Sequence, residues 1–119
     1  SEEEWFHDED DFFATIEKVE VRGDIAMYRI HRSYATKGVT VCKRFSEFVK
    51  LSQELSQRNL CTSIKLPPKT CSFHGYFSDF FLENRRRALE SYLLAVLDSD
   101  EEAKAQTILW LEDEQKMNG

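Results

Sequence analysis

The sequence predicts an α+β fold in which a three-stranded antiparallel β-meander packs against a helical subdomain of three to four helices. Two observations carry this expectation. As far as residue 45, apolar residues mostly alternate at period two around turn-forming residues, as in strands buried on one face. Beyond it they recur at offsets of three, four and seven, as in helices laid on a core. Strands first and helices afterwards make separate layers with a cleft at the seam between them.

The first strand spans Phe12 to Val21, where the apolar face switches from Phe12, Ala14 and Ile16 to Val19 and Val21, which predicts a bulge or bend. Gly23-Asp24 suits a tight hairpin turn. The second strand sets Ala26, Tyr28, Ile30 and Tyr34 on one face. After Lys37-Gly38 the third sets Val39, Val41 and Phe45 on one face and Thr40, Cys42 and Arg44 on the other. From Ser46 to Gln57 the period changes: Phe48, Leu51 and Leu55 define an amphipathic helix with Ser46 as the expected N-cap. Both prolines lie in Leu66-Pro67-Pro68-Lys69, within an extended loop from Asn59 to Thr70, and Thr70 to Phe77 reads as loop as well. A long helix is expected from about Ser78 to Leu97, with Leu89, Tyr92, Leu93, Val96 and Leu97 along its stripe. Ser99-Asp100-Glu101-Glu102 reads as a capping box opening a last helix that turns Ile108, Leu111 and Trp110 inward.

At 119 residues the chain can bury one modest core, and 41% hydrophobic with 32% charged residues is the balance of a folded chain. The net charge of −6 misrepresents the domain, because seven of the 22 acids lie in residues 1–11. That leaves 15 acids against 16 bases in residues 12–119. The expected organisation is an acidic tail over 1–11, with Trp5 and Phe6 as its large apolar residues, followed by one domain over 12–119. A body near neutrality lacks the basic stripe of a nucleic-acid binder, so an anion site must be a small cluster of bases. Three cysteines without a CxxC pair or a secretory signal point away from a disulfide framework and toward a reducing, cytoplasmic compartment. The apolar runs fall well short of a membrane span, and an opening Ser in place of Met suggests a fragment of a longer protein.

Three bases converge on the seam. Arg44 ends the third strand just before a helix, Lys69 follows a rigid Pro-Pro pair, and Arg85 lies one turn before Leu89 on the inward stripe of the long helix. An inward arginine requires an anion, from the protein or from a ligand, and its planar fork of donors matches phosphate oxygens. Phe45 beside it offers a ring for packing.

These residues lie in motifs that resemble the phox-homology (PX) domain, and sorting nexins in particular. Lys43-Arg44-Phe45-Ser46-Glu47-Phe48 resembles the basic-Arg-aromatic-x-x-Phe signature. Leu66-Pro67-Pro68-Lys69 resembles the end of the family's proline-rich loop, and Asn84-Arg85-Arg86-Arg87-Ala88-Leu89-Glu90-Ser91-Tyr92-Leu93 the pattern of its long helix. The resemblance runs in order from about Phe12 to Leu111 and implies the PX fold. It further implies a phosphoinositide-binding, membrane-targeting module for phosphatidylinositol 3-phosphate, peripheral on endosomal membranes. Arg44 would bind the 3-phosphate, Phe45 would pack on the inositol ring, Lys69 would contact the 1-phosphate, and Arg85 would hold the 4- and 5-hydroxyls. Phe73, Tyr76 and Phe77 would be candidates for insertion at the bilayer interface. Phe stands where many members have Tyr at position 45, the proline loop is shorter than in many sorting nexins, and the acidic tail has no counterpart.

Other readings stand beside these. Arg44 is alternatively a structural partner of Glu47, Lys69 a solvated base, Arg86 and Arg87 a solvated or membrane-facing charge run, and Phe73, Tyr76 and Phe77 caps on the core. The tail is free either to fold over the basic site or to lie elsewhere. Cys61, Cys71 and His74 have no standard zinc spacing and lack a fourth ligand, so no metal or other cofactor is expected. No nucleophile-base or carboxylate pair is evident, so no catalysis is expected. The functional alternative is a PX-like protein-interaction module with weak or broad lipid binding, for partners met through the parent protein.

Overall fold

The computed structural model describes residues 12–34, 37–69 and 78–113. Three strands, β1 (Phe12–Arg22), β2 (Ile25–Tyr34) and β3 (Lys37–Arg44), form an antiparallel sheet in the order β1-β2-β3. Three helices follow, α1 (Phe45–Gln57), α2 (Asp79–Leu97) and α3 (Glu101–Glu112). The expected meander is therefore present, and the helical layer has three described helices. The tail over 1–11 and the segment holding Phe73, Tyr76 and Phe77 lie outside the described residues.

The face switch in β1 is a bulge. The register with β2 runs unbroken from Phe12–Tyr34 to Ile16–Ile30, skips Glu17 and resumes at Lys18–Arg29. Gly23 occupies φ +65 in the turn to β2, a conformation without steric cost only for a residue lacking Cβ. One face of the sheet carries Ala14, Ile16, Tyr28, Ile30 and Val41 into the core, against Phe48, Leu51 and Leu55 of α1 and Leu89, Tyr92, Leu93 and Val96 of α2. Leu111 of α3 is fully buried, and Ile108 and Trp110 pack at the margin.

The bulge is covered from outside. β1 is an edge strand, and an exposed edge leaves amides and carbonyls unpaired. At Ile16 both groups are taken by α2: the Ile16 amide donates to Glu90 Oε2 at 2.9 Å, and Arg86 Nη1 donates to the Ile16 carbonyl at 2.7 Å. Arg86 and Glu90, one turn apart, thus grip the strand beside its irregularity. This corrects the expectation of a solvated Arg86, whose side chain is 18% exposed, whereas Arg87 is 70% exposed as a surface charge should be.

Two caps differ from expectation. The N-cap of α1 is Arg44, not Ser46, because the strand runs directly into the helix; the carboxylate of Glu47 accepts from the Arg44 amide at 2.7 Å. The N-cap of α3 is Asp100, whose carboxylate accepts from the Ala103 amide at 2.9 Å. Ser99 instead donates its hydroxyl to the Val96 carbonyl at 2.6 Å, closing the end of α2. At the start of α2, Ser78 accepts from the Phe81 amide at 3.2 Å. α1 ends in a Schellman turn: Asn59 holds φ 60, its amide donates to the Ser56 carbonyl, and the amide of buried Leu60 donates to Leu55. That turn starts the proline loop in a set direction.

Candidate functional site

The seam between sheet and helices brings four segments together around one guanidinium. Phe45, first residue of α1, is half-buried against the core. Arg85, two turns into α2, is half-buried and lies over the Phe45 ring, its Cζ 4.0 Å from the ring centre. The ring of Phe81, one turn earlier on α2, is 4.9 Å from the same atom. Nη2 of Arg85 donates to the Pro68 carbonyl at 2.8 Å. Tyr28 of β2 completes the surround. Burial pushes its phenol above the ordinary range, while the nearby Arg85 charge and a hydrogen bond to it act in the opposite sense.

Arg85 is therefore inward, as its place on the stripe predicts, and its environment is aromatic rings and a carbonyl. Among the described residues it has no carboxylate partner, so none of them neutralises its positive charge. A guanidinium has five N–H donors, and the Pro68 carbonyl and the Tyr28 hydroxyl leave others for oxygens of a ligand.

Arg44 adjoins Phe45 in the chain and is exposed, with no ion pair among the described residues. The alternative pairing with Glu47 takes a different form: Glu47 holds the Arg44 backbone amide and leaves the side chain to solvent. Lys69 is exposed and directly follows Pro68, whose carbonyl Arg85 holds. The structure thus clusters Phe45, Arg85 and the proline turn, and places the side chains of Arg44 and Lys69 at the exposed ends of the segments they belong to.

Lys43 behaves otherwise. Although it lies in the basic run before α1, it is 2% exposed, its Nζ 4.7 Å over the Trp110 ring and donating to the Asp113 carbonyl at 2.6 Å. It fastens the C-terminal end of α3 to the sheet, where the helix's free carbonyls favour a cation. Strand alternation carries the signal for this, since Lys43 shares a face with Val41. Phe81 and Tyr28 are the site residues that the sequence reading missed. An aromatic four residues before an inward arginine is a detectable signal. Nothing local marks Tyr28, which meets Arg85 only through the packing of α2 on the sheet.

Among the described residues no group of three or more His, Cys, Asp or Glu side chains could hold a metal ion. Nor, among them, is any helix long and apolar enough to cross a membrane.

A family model for the PX domain matches residues 31–109. Among solved structures, the X-ray structure of a designed CISK-PX domain is similar at a TM-score of 0.75 and 23% identity, covering 85% of this chain and 99% of that one. At that identity the likeness speaks for the fold alone. No curated protein sequence matches the chain.

Proposed function

This chain belongs to the PX family, generally non-enzymatic phosphoinositide-binding modules, and we propose that it recognises phosphatidylinositol 3-phosphate and brings its parent protein to endosomal membranes. The observation that carries this reading is the pair of arginines beside Phe45. Neither Arg44 nor Arg85 has a carboxylate partner among the described residues, and Arg85 is held half-buried by rings and a carbonyl. A cation placed in this way favours an incoming anion.

In this reading Arg44 binds the 3-phosphate and Lys69 the 1-phosphate, both from exposed positions. Arg85 directs its remaining donors to the ring hydroxyls. Phe45 packs on the inositol ring. Phe73, Tyr76 and Phe77, in the segment that follows Lys69, are the candidates for shallow insertion. The protein would be peripheral on the cytoplasmic side of the membrane, and binding would weaken with salt. A module working chiefly through protein partners needs no unneutralised arginines at this seam, which is why the lipid reading is preferred.

The test is co-sedimentation of the wild type and Arg44→Ala with vesicles carrying each phosphoinositide in turn, near physiological salt. Selective capture by phosphatidylinositol 3-phosphate, lost in the variant, is the expected result. A folded wild type that shows no selectivity would move the function to protein interaction.

A further inference from the structure

We infer that Phe81 is a positioning residue for the headgroup site: with Phe45, it holds the guanidinium of Arg85 in the orientation that a ligand meets. The inference deepens the phosphoinositide reading and rests on it.

A free arginine side chain carries substantial rotamer entropy. The hydrogen bond to Pro68 fixes one corner of the guanidinium and leaves the rest able to swivel about that contact. Rings at 4.0 Å and 4.9 Å from Cζ restrict the swivel, because the planar cation is attracted to an aromatic face. Phe81 is itself well anchored. It lies in the first turn of α2, its amide bonded to the Ser78 cap, and its side chain is half-buried. The Tyr28 hydroxyl lies against the same guanidinium from the sheet side. Ordering the cation before the ligand arrives removes that cost from binding, which is how preorganisation raises affinity.

The neighbouring residue supplies a control. Phe80 is 80% exposed and makes no ring contact with Arg85. An apolar ring at that position acts on a bilayer surface if it acts at all, whereas Phe81 should act on the headgroup even when no bilayer is present.

The experiment is calorimetric titration of soluble dibutanoyl phosphatidylinositol 3-phosphate into the wild type, Phe81→Leu, Phe80→Leu, Arg85→Lys and the Phe81→Leu/Arg85→Lys double variant, with thermal melts to verify folding. Phe81→Leu should weaken binding about five-fold, the range of a partly desolvated cation–π contact. Phe80→Leu should bind as the wild type does. In the Arg85→Lys background the Phe81 change should add nothing further. Wild-type affinity in Phe81→Leu, or an equal loss with and without Arg85, would overturn the inference while leaving the lipid reading intact. A wild type that does not bind the headgroup removes the lipid reading instead. The positioning is then decided in the ligand-free protein by the Arg85 Nε–Hε NMR signal, expected to be sharp and slowly exchanging in the wild type and broadened in Phe81→Leu. An unchanged signal overturns it.

Discussion

The guanidinium of Arg85 donates to the carbonyl of Pro68 at 2.8 Å, which ties α2 to the turn that presents Lys69. Two residues proposed to share one headgroup are thereby mechanically linked. The rigid Pro67-Pro68 pair transmits the position of that carbonyl directly to Lys69.

Arg85→Ala should therefore do two things where Arg44→Ala does one. Both should reduce selective vesicle binding by more than about ten-fold, the scale of a lost charge-assisted hydrogen bond. Only Arg85→Ala should also raise amide hydrogen exchange at Lys69, next to the released carbonyl. Arg44→Ala should leave exchange and melting temperature unchanged, because its side chain is exposed and has no ion pair among the described residues.

Lys43→Ala tests the buried cation. It removes the bond to the Asp113 carbonyl and the contact over Trp110. The expected loss is about 3 kcal/mol of folding stability, read from urea unfolding. Protease cleavage near the end of α3 should quicken. If the variant is as stable as the wild type, Lys43 does not anchor the helix.

The grip of α2 on β1 is tested by Glu90→Ala. Removing the acceptor for the Ile16 amide should cost about 1–2 kcal/mol and raise exchange at that amide well above its neighbours in β2. Arg86→Ala should produce a similar loss of stability through the Ile16 carbonyl. Arg87→Ala, on the exposed side of the same helix, should stay within about 0.5 kcal/mol of the wild type.

Glu83 sets an acid dependence. Hydrogen bonds from Arg86 and then Arg87 hold its carboxyl at about 2, against an ordinary value of 4.5. Because the folded-state value is the lower one, its contribution is present above the unfolded-state value and fades as pH falls from 4.5 toward 2. Melting temperatures of the wild type and Glu83→Gln should differ at pH 6 and converge by about pH 2. A constant difference across that range would assign the effect to something other than this carboxylate.

How much of this was legible beforehand depended on the range of the interactions. Period and punctuation are local, so the face switch at Glu17, the Gly23 turn, the stripe from Leu89 to Leu97 and the inward Arg85 could all be read from neighbours in the chain. Burial of one side of each element then produces a sheet with helices on it. The caps were missed by one or two residues, since Ser46, Ser99 and Asp100 are all competent cap residues. The choice among them depends on where a preceding strand or helix ends. The roles of Lys43, Arg86 and Glu90 could not be read locally, because each satisfies a backbone group 70 or more positions away in sequence. The same holds for the surround of Arg85. Its charge and its inward position follow from the helix alone, but the company of Phe45, Pro68 and Tyr28 exists only once three distant segments pack at one seam. Charge and periodicity are properties of the chain, whereas the neutralisation of a buried charge is a property of what folding brings beside it.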